Sequence, residues 1–153
     1  MRVIRKILVG LGAVFVVILA FVAWMMVSSR QFRTEQGPFV QTFVTDLSRH
    51  WNVADVGERL AGPVLDQALT PQGQQVLHQF KQLGALRSVA NLGMQNYNIG
   101  TTGRTGTFHF KGTFDNGEAD VEVVVVKRGG TPWVLGFHLN GIQRREGVSN
   151  VET

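Results

Sequence analysis

The sequence predicts an α+β protein: an N-terminal transmembrane helix, then amphipathic helices packed on a curved four-stranded antiparallel meander. Three observations carry that expectation. An uncharged apolar run occupies residues 7–27, apolar residues recur at helical spacing between Phe39 and Leu83, and strict alternation punctuated by glycine turns fills the second half of the chain.

Isoleucine 7 to Val27, "ILVGLGAVFVVILAFVAWMMV", is 21 residues without a charge. At about 1.5 Å per residue that is roughly 32 Å of helix, enough to cross the hydrocarbon core of a bilayer. Arg2, Arg5 and Lys6 precede it, Arg30 and Arg33 follow it, and Trp24 sits near its far end as an interfacial anchor. This bias favours a cytoplasmic N-terminus and an exported body. A cleaved signal peptide is the rival reading, with Val27-Ser28-Ser29 as a poor cleavage site. Its apolar region should be shorter and end in small residues, whereas this one ends in Trp24, Met25 and Met26. Gly10 and Gly12 are two apart, so the run has no Gly-x-x-x-Gly dimer seam.

The 153-residue chain is long enough for one ordinary domain beyond this segment. With no cysteine it has neither a disulfide framework nor a thiolate metal site. Its charge of +4 sits largely at the N-terminus, and from Ser28 onward twelve cations face eleven anions. Without a basic face no nucleic-acid partner is expected.

The boundaries expected from composition are 1–27 for the N-terminal tip and anchor, 28–37 for a polar tether ("SSRQFRTEQG"), 38–141 for the folded domain and 142–153 for a flexible tail. Gly37-Pro38 is expected to open a helix, with Phe39, Val40, Phe43, Val44, Leu47 and Trp51 on its apolar stripe and Ser48 among the residues facing away. "NVADVGERLAGPVLDQAL" reads as short helical turns broken at Gly62-Pro63. Thr70 then caps a helix with Pro71 at its first position, the stripe Val76, Leu77, Phe80 and Leu83, and Gly84 as its C-terminal stop.

A first strand is expected over about Arg87–Asn98, with Ala90, Leu92 and Met94 on one side. Asn116-Gly117 is a two-residue hairpin signal. A turn there pairs Phe114 with Ala119, Phe110 with Val123, Phe108 with Val125 and Lys111 with Glu122. A three-residue loop over Gly129–Thr131 pairs Val125 with Leu135, Val123 with Phe137 and Val121 with Leu139. One face then holds nine apolar residues: Phe108, Phe110, Phe114, Val121, Val123, Val125, Leu135, Phe137 and Leu139.

Helices followed by a meander ending in "WVLGFHLN", together with "HQFKQLGAL" and "FKGTFDNGEADVEVVVVKRGG", resemble the nuclear-transport-factor-two-like superfamily of cone-shaped domains over about Phe39 to Leu139. More narrowly the chain resembles exported bacterial proteins of that shape with no assigned activity. The resemblance implies a bacterial inner-membrane protein with one span and a periplasmic domain. It also implies a role in protein contact or assembly, as in the helix-anchored assembly component of type IV secretion systems. Enzymes of the superfamily, such as ketosteroid isomerase, place acid and base residues inside the cone. The interior face expected here is apolar and Tyr97 falls on the other parity, so no catalytic set, cofactor or metal is expected. The alternative is a small-ligand or enzymatic site in the cone interior.

On the other face Lys111, Glu122 and His138 fall in one row. A carboxylate beside an imidazole can exchange a proton, although such rows are more often solvated charge ladders. His109 is expected off that row, and no two histidines have metal-ligand spacing. Val124, Val126 and Val134 make one end of the polar face apolar, which reads either as a covered strand end or as an interaction patch. The expected partners are membrane lipid, through the N-terminal helix, and a protein of unknown identity; a homodimer is left open.

Overall fold

The structure, a computed structural model, describes residues 2–145. The chain divides into two compact units, Met1–Thr34 and Glu35–Thr153. Helix α1 runs over Arg2–His50 and contributes to both. The second unit adds α2 (Gly62–Ala68), α3 (Pro71–Lys81) and strands β1 (Leu86–Gly100), β2 (Gly103–Phe114), β3 (Gly117–Arg128) and β4 (Thr131–Arg144). The strands form one antiparallel sheet in the order β1-β2-β3-β4.

In the first unit the helix contains the stretch long and apolar enough to cross a membrane. A helix lying on a protein core buries one stripe. Here the large apolar side chains from Val9 to Val27 are exposed on every side, at 37–72% of their surface. The expected tether is itself helical, because residues 28–37 belong to α1. Arg, Gln and Glu are good helix formers, and extending an existing helix needs no new nucleus. Pro38 therefore lies inside a helix and opens none. Lacking an N–H, it offers no amide to the carbonyl of Thr34.

In the second unit Val40, Phe43, Val44, Leu47 and Trp51 are buried, as are Phe108, Phe110, Phe114, Val121, Val123 and Val125 of the sheet, and ring contacts join Phe43 to Phe137 and Trp51 to Phe114 and Phe137. Phe137, Leu135 and Leu139 are only half-buried. Ser48 departs from its expected outward position. It is buried, accepts the amide of Leu86 at 2.8 Å and donates to the Thr45 carbonyl at 3.1 Å, so it ties the start of β1 to α1. Thr70 caps α3 through Gly73 N at 3.2 Å, as the sequence predicts. Val76, expected on the apolar stripe of α3, is exposed, while Leu77 and Leu83 are buried.

The β2–β3 and β3–β4 hairpins both differ from expectation in turn position; the first keeps its faces throughout and the second keeps them only beyond a bulge at Leu135. Phe114 pairs with Gly117, so the turn is Asp115-Asn116, and the β2–β3 partners are Phe108 with Val123, Phe110 with Val121 and Lys111 with Asp120. The turn is fastened from outside. Asp115 N donates to Ala85 O (3.0 Å), Asn116 N to Leu83 O (2.9 Å) and Asn116 Nδ2 to Gln82 O (3.0 Å). The Asp115 carboxylate accepts from Ala85 N at 2.9 Å and pairs with Arg87. Gly117 serves close approach, because a Cβ there would meet the backbone of Gln143 and Arg144. The slip is two residues, and parity is therefore preserved.

The second hairpin turns on Gly129-Gly130, both at positive φ (55° and 83°), the signature of a type I′ turn. Leu135 is the extra residue of a bulge. Beyond it the expected pairs Val123–Phe137 and Val121–Leu139 are present, but Val125 faces Val134 in place of Leu135. The strand continues through Arg144, so 142–144 is not tail, and Arg145 N bonds Asn116 O at 2.8 Å. The remainder of the expected tail lies outside the described residues.

Gly84 ends the α3 region at φ +78°, where a Cβ would come within 2.6 Å of Asp115 Cβ. Left-handed backbone costs a non-glycine residue about 1–2 kcal/mol before any clash. Gly84→Ala should therefore lower stability by more than about 2 kcal/mol, and Gly129→Ala, with open space around it, by about 1–2 kcal/mol. Denaturant titration of the two variants checks the order. Loss at Gly129 equal to or above that at Gly84 would contradict the packing described.

The hydrogen bond from Arg87, then that from the Ala85 amide, hold the Asp115 carboxyl below the ordinary carboxylate range. A depressed folded pKa stabilises fully above the unfolded value of about 4 and is lost as pH falls through the folded one. Asp115→Asn should lower the melting temperature at neutral pH and flatten its fall below about pH 4. Parallel melting curves for the two proteins across that window would refute the assignment.

Candidate functional site

The outer face of the sheet carries a cluster of titratable side chains. Alternation sends Thr107, His109, Lys111 and Thr113 of β2 to this face, with Glu118, Asp120, Glu122 and Val124 of β3 beside them. Register then forms two adjacent polar rows. His109, Glu122 and His138 make one, and Lys111, Asp120 and Asn140 make the other.

The expected row of Lys111, Glu122 and His138 is thus corrected in one member. The two-residue slip of the first hairpin replaces Lys111 with His109 opposite Glu122. His109 Nδ1 lies 3.7 Å from Glu122 Oε2, an ion pair when the ring is protonated. Lys111 instead reaches Glu118 Oε2 at 3.5 Å. The Glu122–His138 pairing stands as expected.

The rows border a shallow open concavity of about 360 Å³, lined by Asn91, His109, Lys111, Asp120, Glu122 and Asn140. Two features of the backbone shape it. Asn91 adopts a left-handed conformation (φ 57°) where β1 bulges between Ala90 and Gly93. Gly141 (φ 56°) bulges β4 beside Asp120, whose Oδ2 is 3.1 Å from where a Cβ would stand. Asparagine tolerates this region better than other non-glycine residues, which is the signal that could have located the β1 bulge.

The arrangement is suited to hydrogen bonding and charge recognition. Among the described residues no group of three His, Asp or Glu could hold a metal ion. Geometry explains this, since His109 and His138 are separated by the whole of β3, about 9–10 Å at sheet spacing.

The valine patch is not available as a surface. Val126 and Val134 are 1% and 0% exposed, and only Val124 is half-buried. The bulge at Leu135 reverses the parity of Val134 and sets it opposite Val125 on the inner face. The edge of β4 at this point is covered, with Ala61 N donating to Val134 O at 2.9 Å and Leu60 bridging Val134 in parallel. Val126 lies directly opposite Trp133, a neighbour large enough to shield a valine at cross-strand distance.

Compared with known protein families, curated proteins and solved structures, the chain matches none.

Exposed ion pairs contribute little to stability, typically about 0–1 kcal/mol. If the rows serve recognition and not folding, Glu122→Ala should change unfolding free energy by less than about 0.5 kcal/mol. A loss above about 2 kcal/mol would show that the row is part of what holds the sheet.

Proposed function

We propose that the chain is a single-pass membrane protein whose folded domain, on the periplasmic side of a bacterial inner membrane, makes contact with a protein partner and carries out no catalysis. The observation that carries the contact reading is the division of the sheet. Its inner face is filled by aromatic packing, with Phe43, Trp51, Phe80 and Phe137 in ring contact, while a cluster of titratable groups, His109, Lys111, Asp120 and Glu122, lines the open outer face. Polar rims with paired charges set register and specificity at protein contacts.

Three supports bear on placement: the all-round exposure of the apolar helix, the cations Arg2, Arg5 and Lys6 before it, and the resemblance to exported cone-shaped domains. The bulged outer strands bear on the partner. β1 departs from regular pairing three times and β4 twice, and bulged edges resist sheet-to-sheet addition, so the reading favours a side-chain contact over strand addition. The concavity on the outer face favours one second reading, a small polar ligand held between Asn91 and Asn140.

Placement is tested with Gln75→Cys in the cysteine-free chain. The protein should resist carbonate extraction, and a membrane-impermeant maleimide should label it in intact spheroplasts. Carbonate-soluble protein would defeat the anchor, and labelling only after lysis would reverse the orientation. Contact is tested with a photo-crosslinking residue at His138 in native membranes. A discrete protein adduct should form and weaken at least about tenfold with Glu122→Lys, whose melting temperature should match the parent. No adduct, or one indifferent to the charge reversal, removes the outer face as the contact. A small molecule retained at the concavity in native mass spectrometry would favour the second reading.

A further inference from the structure

The two hairpin tips at one end of the folded unit lie side by side. Arg104 pairs with Lys127 across β2 and β3, and Gly103 permits close approach: a Cβ there would meet the Lys127 carbonyl and stand 3.2 Å from Arg128 Cγ. The residues of both tips, 99–106 and 127–132, include Arg104, Lys127 and Arg128 but no Asp or Glu. Lys127 is paired with Glu35 at 2.9 Å. Arg104 and Arg128 are exposed and have no ion-pair partner among the described residues. Beside them Ile99 is one of the few large apolar residues exposed in this unit.

Chain length puts this end near a bilayer. Glu35, which Lys127 touches, is eight residues after Val27, the last residue of the apolar run. Eight residues span at most about 26–29 Å even when fully extended, which bounds how far Glu35 can lie from the end of the apolar run, and Lys127 is tied to Glu35. Arg30 and Arg33 lie within those eight residues. Two tips without a carboxylate of their own, whose neighbouring Glu35 is taken up by Lys127, with two further guanidinium groups and an exposed isoleucine, match a negatively charged headgroup layer within reach of the tether. Guanidinium binds phosphate in a bidentate fork, and the surface potential acts within about a Debye length.

We propose that the Ile99–Arg104 and Lys127–Thr131 tips dock the folded unit on the anionic headgroup surface of the membrane that anchors it. The proposal rests on the anchor reading above. Docking restricts the orientation of the domain and leaves the outer face of the sheet, away from these tips, open to a partner. Each arginine near an anionic surface shifts the docked population by about fivefold.

The test uses the full chain in lipid nanodiscs, labelled at Thr102→Cys in the β1–β2 tip or, for comparison, at Ala54→Cys beyond the C-terminal end of α1. Quenching of the fluorophore by headgroup-nitroxide lipid is the readout. Replacing neutral phosphatidylcholine with a mixture containing phosphatidylglycerol should raise quenching at position 102 several-fold and leave position 54 unchanged. The rise should vanish in 0.5 M salt and in the double variant Arg104→Glu, Arg128→Glu. Equal quenching in neutral and anionic discs, or a rise that survives the double variant, overturns the docking alone. A chain that fails to co-purify with the discs overturns the anchor reading, and docking with it.

Discussion

Trp51 is the constraint on which the folded unit depends. It is the residue at which α1 stops, in a left-handed conformation (φ 51°) with its amide on the Leu47 carbonyl at 2.7 Å. A bulky residue in that region is a costly choice that only surrounding contacts can maintain. Here the indole ring lies 5.7 Å from Phe80 of α3, 5.9 Å from Phe114 of β2 and 6.4 Å from Phe137 of β4. Its Nε1 donates to the Gly84 carbonyl at 3.0 Å. One side chain thus meets a helix, two non-adjacent strands and the connection between α3 and β1. Aromatic pairs of this kind contribute about 0.5–1.5 kcal/mol each beyond area burial, so the three together are comparable to the cost of such a backbone, about 1–3 kcal/mol.

The same end of the unit is reinforced by the Asp115-Asn116 turn. Its backbone and side chains satisfy the carbonyls of Gln82, Leu83 and Ala85 as well as the Ala85 amide. These are the groups that the end of α3 and the start of β1 would otherwise leave without partners. Ser48 does the same for Leu86 from the side of α1. The connection from helix to sheet, normally a free loop, is held by bonds to two elements distant in sequence.

That tertiary fastening explains what was legible in the sequence and what was not. The class of each element followed from periodicity, and Thr70 and Gly84 followed from cap chemistry, because those signals are local. Face assignment in the first hairpin holds because side-chain direction depends on parity and the slip there is even. Turn position did not survive. Asn116-Gly117 is a strong local turn signal, but Gly117 is needed for the close approach of β4, and the bonds that Asp115 and Asn116 donate to the carbonyls of Gln82, Leu83 and Ala85 favour a turn one residue earlier, which shifts the register by two. The site inherited that error, so Glu122 was rightly placed on the outer face and matched with Lys111 instead of His109. The bulge at Leu135 was equally invisible. It depends on which of two strands absorbs an extra residue, and it carried Val134 from the outer face into the core. The tether failed for another reason: the absence of an apolar period says that a segment buries no stripe, and a helix extended from a neighbouring one needs none.

The distribution of these bonds makes the two ends of the folded unit unlike. At the end defined by Trp51, side chains from α1, α3, β2 and β4 converge, and the turn is held by six hydrogen bonds to the backbone and side chains of Asp115 and Asn116. At the other end the tips turn on Thr101-Thr102 and Gly129-Gly130, and the ion pair of Lys127 with Glu35 is a surface contact. Local opening is easiest where buried contacts are few and backbone hydrogen bonds face water. The first end therefore fixes the register of the whole sheet, and with it the rows that flank Glu122. Motion of the tips at the second end need not disturb those rows, because β2, β3 and β4 are paired between the two ends. Rigidity beneath the polar rows, and compliance at the two tips, are consequences of where one tryptophan and one aspartate stand.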